Sequence, residues 1–253
     1  MRAALLEDYH RPLELVERPV PEPVDASSVV IRVGGAGVCA TDLHAIEGLM
    51  GGAGFDVPRV LGHENAGWVH EVGDGVTSVS PGDAVLVYPA WSCGLCVPCR
   101  RALGSGRIVA IDTDERRRAL ARELGADEVL GEQVDVVDAV REATNGAGAD
   151  VVIDFVATDA THAAGLDMTS RRGVYSTVGY GGMINVPSVA LVAGETSIAG
   201  NLVGSWIDLW ELLQLHARGV VSLRSETHPL DAVNDVLDAL RAGDVTGRAV
   251  LVP

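Results

Sequence analysis

The run 150–156, Asp-Val-Val-Ile-Asp-Phe-Val, is almost continuously apolar over a length that suits a strand and falls short of a helix. Apolarity without alternation belongs to a parallel strand covered on both faces, and parallel neighbours need helical crossovers between them. The flanking sequence supplies these. Residues 107–112 read as a strand ending in an acid. Residues 115–124 read as a helix, with Leu120 and Leu124 four apart and Gly125 as its stop. A short strand at 127–130, a helix over 135–143 and further strands at 173–178 and 197–203 continue the alternation. This pattern predicts a doubly wound α/β domain of the nucleotide-binding kind.

The first hundred residues have a different texture. Residues 28–33 are rich in β-branched side chains, 66–72 alternate, and 83–88 form another apolar run. Gly-Asp-Gly at 73–75 and Ser-Pro-Gly-Asp at 80–83 are turn chemistry, while Pro19, Pro21 and Pro23 mark an extended connection. An all-β module is expected here. Near the end, 230–240 form a helix with Val233, Val236, Leu237 and Leu240 as its apolar stripe, and 248–252 form a closing strand. The amphipathic helix at 206–216 assigns Trp206, Leu209, Trp210 and Leu213 to core or subunit contact.

Two stretches of the β module carry chemistry. Residues 37–44, Gly-Val-Cys-Ala-Thr-Asp-Leu-His, set a thiol, a hydroxyl, a carboxylate and an imidazole within six positions; Leu-Gly-His-Glu at 61–64 adds an imidazole and a carboxylate. Cysteine and histidine are preferred zinc ligands, and a catalytic zinc keeps one position open. Cys39 and His63 would form a site assembled by the fold rather than a local knuckle. The plainer reading of either residue alone is a buried thiol or a satisfied core imidazole. Cys93, Cys96 and Cys99 also have metal-ligand spacing, but a closed structural zinc needs four ligands and no cysteine follows Cys99.

Composition narrows the function. A net charge of -16 opposes binding to nucleic acid and to anionic membrane surfaces. All 19 basic residues are arginine, which excludes a P-loop lysine, a Schiff-base lysine and a Tyr-x-x-x-Lys pair. Either a salty habitat or a biased genome would account for that absence. The 253 residues suit one large or two modest domains, and no apolar stretch approaches the roughly 18 residues of a membrane span. A cytoplasmic protein is expected.

The motifs C-x-[ST]-D-x-H at 39–44, G-H-E at 62–64 and V-G-D-G-V-x-x-x-x-P-G-D at 72–83 resemble the zinc-dependent alcohol dehydrogenases of the medium-chain dehydrogenase/reductase family. The resemblance extends from Met1 to Pro253. It implies a GroES-like zinc catalytic domain at 1–101, to which 223–253 return, and a Rossmann nucleotide-binding domain at 102–222. It implies NAD-linked oxidation of an alcohol, or reduction of an aldehyde or ketone, in a homo-oligomer. Zinc would be held by Cys39 and His63, with Glu64 as a ligand or behind the ligands. Thr41 would take the alcohol proton and His44 would pass it to solvent through the cofactor ribose. Cys93, Cys96 and Cys99 would be the remains of a structural zinc lobe. Asp112 ends the second strand of the nucleotide domain, where an acid hydrogen-bonds the ribose and selects NAD over NADP. Its plainer reading is an exposed aspartate, or a helper to Asp114 as helix cap. The family pattern D-x-x-x-x-R recurs as Asp112 and Arg117. Backbone around Val178, Asn201 and Val203 would face the nicotinamide.

The chain departs from the family after Cys99, where it passes straight into the second nucleotide-domain strand. The first strand and the G-x-G-x-x-G turn are absent, so the Rossmann domain is expected to be truncated. Gly-Tyr-Gly-Gly at 179–182 opens onto an extended stretch and is a poor substitute. The pyrophosphate would lose backbone donors and a helix dipole, and NAD binding would be impaired. The third zinc ligand of the family lies in the absent block, and Glu64 alone among nearby acid motifs can replace it. Two readings result. One is a dehydrogenase with a weakened cofactor grip. The other is an inactive deletion remnant or a zinc-binding interaction protein.

Overall fold

The computed structural model describes residues 1–49, 55–87 and 107–253, so Cys93, Cys96 and Cys99 and the junction after Cys99 lie outside the described residues. The chain divides into two compact units, Met1–Trp91 with Val221–Pro253, and Ser92–Val220.

The first unit opens with β1 (Arg2–Leu6), β2 (Glu14–Glu17) and β3 (Val29–Val38), followed by α1 (Ala40–Ile46), β4 (Arg59–Val60), β5 (Glu64–Val72) and β6 (Ala84–Leu86). In the second unit lie β7 (Val109–Ile111), α2 (Glu115–Glu123), β8 (Glu128–Leu130), α3 (Val136–Ala143), β9 (Ala149–Asp154), α4 (Asp159–Met168), β10 (Thr169–Thr177), α5 (Ser188–Gly194), β11 (Ser197–Gly200) and α6 (Trp206–Ala217). The chain then returns to the first unit through β12 (Ser225–Pro229), α7 (Val233–Ala242) and β13 (Arg248–Val252).

Among the described residues, two sheets build the first unit, ordered β2-β1-β4 and β12-β13-β3-β5-β6. Leu6, Val38, Ile46, Val236, Leu237 and Leu251 share one core, so α1 and α7 are sealed against strands drawn from both ends of the chain. The stripe on α7 is the one its 3.6-residue period demands, with Val233, Val236 and Leu237 buried. β3 and β5 pair antiparallel with two register shifts, and there the backbones come close. A Cβ at Gly67 would stand 2.1 Å from the Arg32 carbonyl oxygen, so only glycine fits that crossing.

In the second unit α2 and α3 begin where aspartates cap them. The Asp114 carboxylate accepts from Arg116 and Arg117 N–H, and that of Asp135 from Val137 and Asp138 N–H. The described strands form two parallel groups, β7-β8 and β11-β10-β9. No ladder joins β7 to β9 among the described residues. Helices α3 and α4 cover one face, where Val140 and Met168 pack with Leu130, Val109 and Val152. The run at 150–156 is therefore not covered on both faces as its composition suggested. Val151, Ile153 and Phe155 are 38%, 54% and 71% exposed. Trp206 and Trp210 of α6, at 53% and 57%, are not core within this chain either.

A buried polar network ties the carboxyl ends of β9 and β10 together. Tyr175 O–H donates to Asp154 Oδ2 at 2.7 Å and lies 2.7 Å from His162 Nδ1. Because that hydroxyl proton is committed to Asp154, the His162 ring nitrogen is the donor in the second bond. Asp154 Oδ1 accepts from Val156 and Ala157 N–H, and its main-chain oxygen accepts from Val178 and Gly179 N–H. All three side chains are buried.

Candidate metal centre and nucleotide-binding edge

Cys39 and His63 meet because of strand register. In the antiparallel β3–β5 pair, Gly37 stands opposite Glu64. Cys39 follows the end of β3 and His63 precedes the start of β5, so both side chains emerge at one end of the sheet. Cys39 Sγ lies 3.2 Å from His63 Nε2, and Cys39, His63 and Glu64 each offer a ligand atom within 4.8 Å of the others. A thiol, an imidazole and a carboxylate at such spacing fit a zinc ion with its fourth position open.

Local sequence makes this geometry stiff. Cys39 is the N-cap of α1; its sulfur accepts from Thr41 N–H at 3.3 Å, while Asp42 Oδ2 accepts from Cys39 N–H at 3.0 Å. The other Asp42 oxygen stands 3.4 Å from His63 Nδ1. Asp42 thus fixes the ring so that Nε2 faces the thiol. Its carboxylate raises the His63 imidazole to about 10, with the Cys39 sulfur helping and burial opposing. Burial pushes the Cys39 thiol up, but hydrogen bonds from His63 and Thr41 outweigh it and leave the thiol below its ordinary range. Zinc binds a thiolate and a neutral imidazole, so an ion held here would displace the proton held between Cys39 Sγ and His63 Nε2.

Glu64 is held from behind. Arg248 Nε lies 3.4 Å from Glu64 Oε2, and Arg248 Nη1 donates to the Val38 carbonyl at 3.1 Å. Asp42 and Arg248 were not singled out from sequence. Asp42 sits inside the 39–44 motif at the N3 position of a capping box, which was a usable signal. Arg248 was a lone charge opening an apolar strand. Thr41 and His44 lie three apart on α1 and therefore share a helix face.

Gly37 leaves the room that Glu64 occupies, since a Cβ there would stand 2.1 Å from Glu64 Oε2. Gly37→Ala is expected to displace that carboxylate and weaken zinc binding about tenfold, with the Cys39–His63 pair intact. Competition against a chromogenic chelator measures this; unchanged affinity would show that Glu64 does not hold the ion.

In the second unit Asp112 follows β7, Val178 follows β10, and Asn201 and Val203 follow β11. All four lie at carboxyl ends of parallel strands, the edge at which doubly wound sheets bind ligands. Arg117 Nη1 is 3.6 Å from Asp112 Oδ1. Arg118, buried, donates to the Asp112 and Thr113 carbonyls at 2.7 and 2.8 Å and locks the turn that presents Asp112. Asn201 N–H donates to the Thr177 carbonyl at 2.9 Å, which fixes the start of the loop after β11.

The description of the zinc-binding dehydrogenases matches residues 95–218, and that of the alcohol dehydrogenase GroES-like domain matches residues 25–110. Similar curated proteins include a D-arabinose 1-dehydrogenase (NADP(+)) of Saccharolobus solfataricus, 26% identical over 343 residues, covering 100% of this chain and 97% of the relative. An NAD-dependent alcohol dehydrogenase of Sulfurisphaera tokodaii is 26% identical over 348 residues, with both chains covered in full. Among solved structures, the alcohol dehydrogenase of Aeropyrum pernix superposes with a TM-score of 0.90 at 30% identity, again with 100% of each chain covered.

Proposed function

Because the chain belongs to the zinc-type alcohol dehydrogenases of the medium-chain dehydrogenase/reductase family, we propose that its first unit is a zinc site for the hydroxyl or carbonyl oxygen of a small alcohol, aldehyde or ketone. The observation that supports this most is the convergence of Cys39 Sγ and His63 Nε2 at 3.2 Å beside the Glu64 carboxylate. A zinc ion held by these three residues would polarise the substrate oxygen and ease loss of its proton. Asp42 keeps His63 turned toward the site, and Arg248 keeps Glu64 from swinging away. Thr41 takes the proton of the substrate hydroxyl, and His44, three residues on, hands it to solvent. A nicotinamide cofactor supplies the hydride acceptor. Asp112 and Arg117 would hold its adenosine ribose, and Val178, Asn201 and Val203 would lie near the nicotinamide. The acid at Asp112 favours NAD over NADP.

The alignment with the Saccharolobus relative runs over 343 residues and this chain has 253, which supports an internal block missing from it. The same reading leaves Cys93, Cys96 and Cys99 as an incomplete structural zinc site. The exposed Trp206 and Trp210 of α6 support self-association. Among the described residues no helix is long and apolar enough to cross a membrane, and the cytoplasm is the compartment proposed.

Metal analysis of the purified protein tests the site. One zinc per chain is expected, and Cys39→Ala should weaken its retention about a hundredfold. Two tightly held zinc ions per chain would show that the downstream cysteines complete a second site. Equal retention by Cys39→Ala would remove the proposed centre.

A further inference from the structure

The two loops at the carboxyl ends of β9 and β10 hang on one residue. Asp154 ends β9, and its carboxylate accepts from Val156 and Ala157 N–H at 2.8 and 2.9 Å, which fixes the loop at 155–158. Its main-chain oxygen accepts from Val178 and Gly179 N–H at 2.8 and 3.1 Å, which fixes the start of the loop at 178–183. The second loop is tied again farther on. Gly182 N–H donates to the Ala157 carbonyl and Met183 N–H to the Asp159 carboxylate, both at 2.7 Å. A Cβ at Gly179 would stand 2.5 Å from the Phe155 carbonyl oxygen, and one at Gly182 would stand 2.6 Å from the Asp159 nitrogen. The loops therefore meet backbone against backbone.

Tyr175 and His162 hold the Asp154 carboxylate from the buried side. Tyr175 belongs to β10, and His162 belongs to α4, which starts directly after Thr158; the two rings meet edge to face at 79°. Gly165, one turn along α4, leaves the tyrosine its space, since a Cβ there would collide with the ring. The three elements from which both loops spring are thereby joined through three buried polar side chains. Such a network adds modest net stability, but with its members paired it rigidifies what it joins. The loops it joins are not core, because Phe155 and Val156 are exposed.

We propose that Asp154, Tyr175 and His162 are positioning residues that hold the two loops as one preformed platform for the nicotinamide end of the cofactor. This rests on the reading that Val178 lies near that ring. A platform ordered before binding removes the entropy cost of ordering it afterwards, and it aims the ring.

Calorimetric titration of the full 253-residue protein with NAD and with ADP-ribose, in which a hydroxyl replaces the nicotinamide, isolates that end of the site. Tyr175→Phe and His162→Leu should each lower the preference for NAD over ADP-ribose about fivefold and leave ADP-ribose affinity unchanged. A general loosening of the fold would weaken both ligands alike. His162→Asn, whose amide can donate from the place of Nδ1, should restore the preference. Without ligand, hydrogen exchange at the Gly182 and Met183 amides should quicken about fivefold in the first two variants, while amides of α3 keep their rates. An unchanged preference in either variant, or unchanged exchange at Gly182 and Met183, would overturn the proposal and leave the nucleotide reading standing. So would a loss in His162→Asn equal to that in His162→Leu. Equal affinity of the wild type for NAD and ADP-ribose would overturn it as well, because the nicotinamide would then not be held. Failure of the wild type to bind either ligand would remove the nucleotide reading, and this proposal with it.

Discussion

Calorimetric titration of NAD into the 253-residue protein is expected to show binding roughly a hundredfold weaker than a complete phosphate-binding turn would give. The sequence holds no G-x-G-x-x-G at a strand-to-helix junction, and β7 lacks a ladder partner on its inner edge among the described residues. Losing two charge-assisted hydrogen bonds to phosphate, at about 1.5 kcal/mol each, corresponds to that factor. The adenosine end keeps a grip: Asp112 is presented by the Arg118-locked turn, with Arg117 beside it. Weak anchoring at the centre of the cofactor should harm turnover more than zinc binding, because hydride transfer needs a near-attack geometry. Absorbance assays for NADH with ethanol and with a benzylic alcohol should therefore show little reaction in protein that retains its zinc. Micromolar NAD affinity with brisk turnover would refute this and restore the full dehydrogenase reading. Zinc retention without turnover would favour a remnant or a zinc-binding interaction protein.

Asp154→Ala is expected to cost about 3–5 kcal/mol of folding stability, measured by denaturant unfolding. The substitution strands the Tyr175 hydroxyl and the Val156 and Ala157 N–H groups, all of which now donate to that carboxylate. Ala157 adopts a left-handed backbone (φ 58°), which costs energy that those bonds help to meet. Tyr175→Phe removes one hydroxyl and should cost about 1–3 kcal/mol, less than the aspartate. The network also sets an acid limit. Burial pushes the Asp154 carboxyl up, but the Ala157 N–H, the Tyr175 and Thr161 hydroxyls and the Val156 N–H more than compensate, leaving it below the ordinary carboxylate range. A depressed carboxylate contributes stability in full above its unfolded value of about 4 and loses that contribution as pH falls through the folded value. Asp154→Asn should flatten this part of the stability profile below about pH 4. A wild-type profile flat in that range would contradict the assignment. Burial also pushes the Tyr175 hydroxyl well up, with Asp154 adding to it, so it remains a neutral donor throughout.

Local chemistry was legible without coordinates. The caps at Asp114 and Asp135, the stripe on α7 and the strand–helix alternation after residue 107 depend on neighbours within a turn or two, where period and propensity rule. The motifs at 37–44 and 61–64 named the thiol, imidazoles and carboxylate by type. The sequence alone did not supply the arrangement around them. Cys39 reaches His63 only through the pairing of Gly37 with Glu64, and Asp42 and Arg248 gain their roles only once α1 and β13 are packed beside that strand end. Nor could composition tell that the run at 150–156 is covered on one face. An apolar strand looks the same in sequence whether or not its neighbour is present, because burial is a property of what lies across the ladder. Side-chain identity and period are local quantities that the sequence determined; register, coverage and the convergence of distant groups depend on long-range pairing, and only the tertiary structure decided them.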